Sequence, residues 1–180
     1  MFDTLFTKTY ELPLSRNYVR HWGLTEAVRE LLQNAIDSDS PLEWEFEGDS
    51  LSIISRYSNL PISSLLLGTT SKAEDDDKIG SFGEGYKIAL LVLTRAGYSV
   101  VVENGDKTWI PSFKYSKTFE DEVLVIESCT EDRQRKGLKF TISGLSEQDK
   151  LSIKEMCLQM QEPDDEYIST SLGDILLNRA

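Results

Sequence analysis

Cysteine is rare in this chain: of 180 residues only Cys129 and Cys157 carry a thiol, far apart and outside any C-x-x-C or Cys/His cluster. That excludes a disulfide framework and a thiolate zinc site, and points to a reducing, cytoplasmic setting. Histidine is rarer still, since His21 stands alone beside Trp22, where a packed or surface residue is the simplest reading. Positive charge is in deficit. Against 31 Asp and Glu there are 19 Lys and Arg, a formal net charge of -12, so the bulk surface repels phosphate backbones and anionic lipid. Neither nucleic-acid nor membrane binding is expected of it, although a local basic pocket stays open as an alternative to plain solubility. Long hydrophobic runs are missing too. No stretch approaches the roughly 20 apolar residues that cross a bilayer, and the opening residues lack the basic and small-residue pattern of a signal peptide. Without repeats or low-complexity tracts, one globular domain over 1–180 is expected, with its core at 20–160 and a tail at 161–180.

Glycine, by contrast, is concentrated where it matters. The segment I-G-S-F-G-E-G-Y-K, residues 79–87, runs straight into the apolar stretch I-A-L-L-V-L. Gly80, Gly83 and Gly85 allow positive φ and close approach to a ligand, and the helix that follows presents free N–H groups and the positive end of its dipole. That is a place for phosphate, or merely a tight loop-to-helix turn. Lys87 falls in the first helical turn, where a cation opposes the dipole and needs an anion or a route to solvent. The spacing is neither a dinucleotide fingerprint nor a P-loop.

Upstream, Leu24, Ala27, Val28, Leu31, Leu32, Ala35 and Ile36 recur at helical spacing, and residues 38–41 stop the helix. Glu30, Asn34 and Asp37 stand at i, i+4 and i+7 on its polar stripe, which alone reads as an ordinary solvated face. Residues 1–20 suggest an extended arm or edge strand. Leu42, Trp44 and Phe46 alternate with glutamates, and Gly48-Asp49 turns that strand into a partner over 51–55. Pro61 should open a short helix holding Leu65, Leu66 and Leu67, ended by Gly68. The acidic run at 74–77 then leads to the glycines, as a solvated loop or a flap over a ligand. Gly97 reads as a helix cap, Asn104-Gly105 as a hairpin between strands at 98–102 and 107–110, and further strands are expected at 122–128 and 137–142. Ser146 and Asp149 should cap a last helix reaching about Met160. Trp22, Trp44 and Trp109 read as core anchors.

In this order, E-L-L-Q-N-A-I-D at 30–37, T-S-K at 70–72 and the glycine segment ending at Lys87 resemble the GHKL ATPases. That superfamily includes the gyrase B subunit, the ninety-kilodalton heat-shock chaperones, the histidine kinases and MutL, and the likeness covers about residues 24–142. It implies an α+β fold of the Bergerat type: a two-layer α/β sandwich with helices on one face of a mixed, mainly antiparallel sheet. It further implies that Asn34 coordinates Mg²⁺ on a bound ATP and that Glu30 orients or deprotonates the attacking water. Gly80, Ser81, Phe82, Gly83, Glu84, Gly85, Tyr86 and Lys87 would line the phosphates, Thr70, Ser71 and a catalytic Lys72 would belong to the lid, and Asp37 would sit at the next acidic position of the motif. The chain departs from the family where an Asp-x-Gly-x-Gly usually meets adenine. Ser55 stands for the aspartate, Tyr57 and Asn59 for the glycines, and Leu138 follows Gly137 where many members have threonine.

The resemblance therefore implies an ATP-binding protein, a slow Mg²⁺-dependent ATPase whose nucleotide gates contacts with a protein partner or a second copy. A catalytically inactive module that keeps the fold and acts on a partner is the competing reading. A two-component kinase is disfavoured, because His21 lies in no phosphoacceptor helix.

Overall fold

Alternation along each strand decides how the sheet faces its helices. In the computed structural model, which describes residues 8–36, 42–67, 84–131, 136–157, 160, 167–170 and 173–176, the strands are β1 (Lys8–Ser15), β2 (Leu42–Glu47), β3 (Ser50–Ser55), β4 (Ser99–Asn104), β5 (Lys107–Ser116), β6 (Asp121–Thr130) and β7 (Leu138–Ser143). They form one seven-stranded sheet in the order β1-β6-β5-β4-β7-β3-β2. Register aligns Ile53, Phe140, Val102, Trp109 and Ser128 in a single row across five strands, and all of them are buried. Leu51, Ile142 and Val100 form the row beside it.

Among the described residues, three helices accompany the sheet: α1 (Leu24–Ile36), α2 (Gly85–Ala96) and α3 (Glu147–Met156). α1 packs on β2 and β3, α2 on β4 and β5, and α1 also touches α2 and α3. Ala27, Val28, Leu31, Leu32 and Ala35 of α1 join Ala89, Leu90 and Leu93 of α2 and the inward sheet rows in one core. This is the expected α+β architecture. The sheet is not mixed, however. Every strand pair among the described residues is antiparallel. β3 and β4, linked through α2, point the same way, but β7 lies between them and runs opposite to both, so no parallel ladder forms.

Both sheet edges are guarded against further pairing. β1 shifts register between Glu11 and Ser15 and carries Pro13, while β2 exposes Glu45 and Glu47. On β2 the half-buried Trp44 and Phe46 meet edge to face at 5.9 Å, with the Lys154 ammonium 5.4 Å from the Phe46 ring. Trp109 is fully buried and Trp22 and Trp44 pack against the core, as anchors should.

Local signals place most boundaries. Gly97 adopts φ 92° and closes α2 with bonds to the Leu93 and Thr94 carbonyls. Ser146 and Asp149 form the reciprocal capping box of α3. Four elements differ from expectation. The helix after Pro61 is a 3-10 turn over Ile62–Leu65 only, since Leu66 is already extended at ψ 142°. β5 continues through Pro111 to Ser116, because its last pair with β4 is at Trp109 and one edge is open beyond it, where a missing N–H is tolerated. α3 stops at Met156, where Cys157 takes up an extended conformation. The tail contains a separate hairpin, β8 (Tyr167–Thr170) with β9 (Gly173–Leu176).

Arg95, near the end of α2, fastens the connection between β1 and α1. Its guanidinium donates to the carbonyls of Arg16, Tyr18, Val19 and Trp22 at 2.7 to 3.2 Å. Val19 sits there at φ 44°, an unfavourable conformation for a β-branched residue.

Candidate functional site

α1 must bury one stripe, and that forces Glu30 and Asn34, one turn apart, onto its partly exposed flank. Asn34 Nδ2 donates to the Glu30 carbonyl at 2.7 Å, so its Oδ1 is left as an acceptor. The Glu30 carboxylate is about a quarter exposed, 3.9 Å from the Arg29 guanidinium.

Opposite these side chains lies the first residue of α2. A Cβ built on Gly85 would fall 2.4 Å from Glu30 Oε2 and 3.3 Å from Asn34 Nδ2. Only a bare Cα admits the carboxylate and carboxamide so close to the helix start. The N-cap residue, Glu84, makes no side-chain capping bond, and the first intrahelical bond runs from Ile88 N–H to the Glu84 carbonyl. The amides of Gly85, Tyr86 and Lys87 therefore precede the α-helical ladder, at the positive end of the dipole.

Tyr86 and Lys87 point elsewhere. Both are buried. The Tyr86 hydroxyl donates to the Ser64 carbonyl and lies 2.8 Å from the Ser64 hydroxyl. Burial pushes the Tyr86 phenol up to about 12, and the Ser64 bond only partly opposes this. Lys87 has no exposed surface; its ammonium donates to the Leu66 carbonyl at 2.5 Å and lies 5.7 Å from the Tyr86 ring centre. Desolvation lowers its pKa, against the pull of the Glu84 carboxylate. Among the described residues its hydrogen-bond partner is thus a main-chain oxygen, neither the solvent nor the anion that its position in the helix suggested.

Ser55 ends β3 on the helix-facing side, buried in the same row as Leu138 and Asn104. Its hydroxyl makes no side-chain hydrogen bond among the described residues. Asn104 does more than turn a hairpin, which is all its Asn-Gly pairing had suggested. Its side-chain amide accepts from the Leu60 N–H at 3.0 Å and donates to the Leu60 carbonyl at 2.7 Å, fixing the loop that follows Ser55. Gly137 supports the same loop from below: at φ 99°, its Cβ would fall 2.6 Å from the Arg56 carbonyl oxygen. Arg56 turns to the other face of the sheet and pairs with Glu43 through two bonds of 2.5 and 2.6 Å.

Glu30, Asn34 and Gly85 are thus brought together, Ser55 lies on the helix face of the sheet, and Tyr86 and Lys87 face the 3-10 turn. Asp37, Thr70, Ser71, Lys72, Gly80, Ser81, Phe82 and Gly83 lie outside the described residues. Among the described residues no cluster of three or more His, Cys, Asp or Glu could hold a metal ion. One carboxamide oxygen is nonetheless a fitting protein ligand for Mg²⁺, which keeps several waters and takes its remaining oxygens from phosphates.

No protein-family model matches the chain. It is 25% identical over 173 residues to an uncharacterized protein of Mycoplasma pneumoniae, a likeness covering 89% of this chain and 70% of that protein. Among the described residues, no helix is long and apolar enough to cross a membrane.

Proposed function

We propose that this chain is a nucleotide-binding protein of the GHKL type, with a Bergerat-like sandwich that holds MgATP between α1 and the N-terminus of α2. The observation that carries the reading is the bare Cα of Gly85 set against Glu30 and Asn34. A phosphate group there would meet the amides that precede the α-helical ladder on one side and, on the other, the flank of α1 that carries the Glu30 carboxylate and the Asn34 carboxamide, whose Nδ2 faces Gly85. When bound, Mg²⁺ would neutralise phosphate charge, held on the protein side by Asn34 Oδ1.

The chemistry this supports is slow hydrolysis. Glu30 orients a water for attack on the terminal phosphorus and takes its proton at the carboxylate, while the bond from that phosphorus to the bridging oxygen breaks and ADP leaves. The N–H groups opening α2 carry the charge on the phosphates. Nucleotide occupancy would then be read by a protein partner or a second copy.

Titration with ATP, ADP and GTP, with and without Mg²⁺, tests the site. Asn34→Ala should remove the metal-dependent part of the affinity, and Glu30→Ala should bind MgATP yet not turn it over. Absence of saturable binding at millimolar nucleotide would leave the second reading, an inactive module acting on a partner. The neutral Ser55 favours that reading, because a carboxylate acceptor for the adenine amino group would contribute about 1.5 to 3 kcal/mol.

A further inference from the structure

Lys87 and Tyr86 stand two and one residues beyond Gly85, yet neither shares its task. On an α-helix a step of two residues is a rotation of about 200°, so the Lys87 side chain leaves α2 on the side away from Glu30 and Asn34. Its ammonium reaches the Leu66 carbonyl, and the Tyr86 hydroxyl reaches Ser64. Both acceptors belong to the short turn that precedes residues 68–83, and both donors to the helical turn that follows them. Leu67 and Glu84, the residues bordering that segment, line one cleft of about 470 Å³ with Leu14 and Tyr18.

A buried ammonium with no carboxylate at ion-pair distance among the described residues carries a desolvation cost that a bond to one carbonyl offsets only in part. Here it ties two points of the chain that local structure does not join. Ile62–Leu65 is a single 3-10 turn, too short to hold its own orientation, and α2 needs its first turn at a defined depth for Gly85 to meet α1.

Resting on the nucleotide-site reading above, we propose that Lys87 and Tyr86 are positioning residues, not phosphate ligands, and that they couple the turn at residues 62–67 to the placement of Gly85 against Glu30 and Asn34. A displacement of the turn then moves the start of α2, and occupancy of the site is felt at Leu66, whose side chain is largely exposed.

The test uses Lys87→Met, which keeps length and apolar bulk while deleting the donor, together with Tyr86→Phe, which keeps the ring and deletes the hydroxyl. In the free protein, each substitution should shift both the backbone amide resonance of Leu67, whose peptide contains the Leu66 carbonyl, and the side-chain amide resonances of Asn34, which faces Gly85 from α1. With nucleotide, Lys87→Met should weaken MgATP and MgADP by the same factor, about three- to tenfold. A loss confined to MgATP would make Lys87 a contact of the terminal phosphate and overturn the proposal. Unmoved Asn34 side-chain resonances beside a shifted Leu67 would overturn it as well. If Lys87→Met does not fold, Tyr86→Phe gives the paired shift or its absence alone. Should the wild type bind neither nucleotide, the function proposed above fails, while the resonances of the free protein still decide the coupling.

Discussion

Gly85 separates stability from function at the scale of one residue. Alanine is the better helix former by about 1 kcal/mol, and the atom its methyl would strike is the far end of the flexible Glu30 side chain. Gly85→Ala should therefore leave stability within about 1 kcal/mol of wild type in urea melts. Displacing the carboxylate and crowding Asn34 should, in contrast, weaken MgATP by about tenfold or more in a titration. A mutant that is both stable and fully binding would remove Gly85 from the site.

Tyr86 supplies the pH dependence. Its phenol titrates near 10 in the unfolded chain and about 12 in the fold, so the folded state holds the proton more tightly. The associated stability is complete below pH 10 and is lost as pH rises through 12. Lys87 acts in the opposite sense: its lowered pKa means that the charged form burdens the fold at neutral pH, a burden relieved as pH climbs toward 10.5. Comparing urea midpoints of wild type and Tyr86→Phe isolates the phenol, and the difference between them should shrink from pH 10 to 12. A constant difference would place the hydroxyl in a wetter setting than the structure gives it.

Among elements, the loop between β3 and the 3-10 turn depends on a side chain from another hairpin. Asn104→Ala would strip both the N–H and the carbonyl of Leu60 of their partner, and because these groups are only partly buried the two lost bonds together cost about 1 to 3 kcal/mol. A fall of that size in unfolding free energy is expected. Elements were legible in the sequence wherever one short signal sets a boundary: the periodic stripe of α1, the Gly97 cap and the Ser146 box all give the observed limits. The strand expected at 107–110 runs on through Pro111 to Ser116, a continuation that only the unpaired edge of β5 beyond Trp109 explains. Glu30, Asn34 and Gly85 were readable from motif and spacing. Asn104, Arg95 and Lys87 were not, since their partners are main-chain atoms at Leu60, the 16–22 turn and Leu66, and carbonyl groups leave no mark in a sequence.

For the whole molecule, the formal charge of -12 sets a repulsion that folding must concentrate into a smaller volume. Raising KCl from about 0.01 to 0.15 M shortens the screening length from about 30 to 8 Å. The urea midpoint should rise accordingly, since ion pairs such as Arg16–Glu122 are exposed and contribute little by themselves. An unchanged or lower midpoint would show that local pairs outweigh the general repulsion.

The place of β7 governs how the chain can be made. Until residues 138–143 leave the ribosome, the β2–β3 hairpin and the strands from β4 to β6 are two separate pieces, each with an unzipped border waiting for the same late segment. Synthesis thus runs through most of its length before the sheet can close, and during that interval the growing polypeptide offers chaperones, or its neighbours on a polysome, two sticky margins at once.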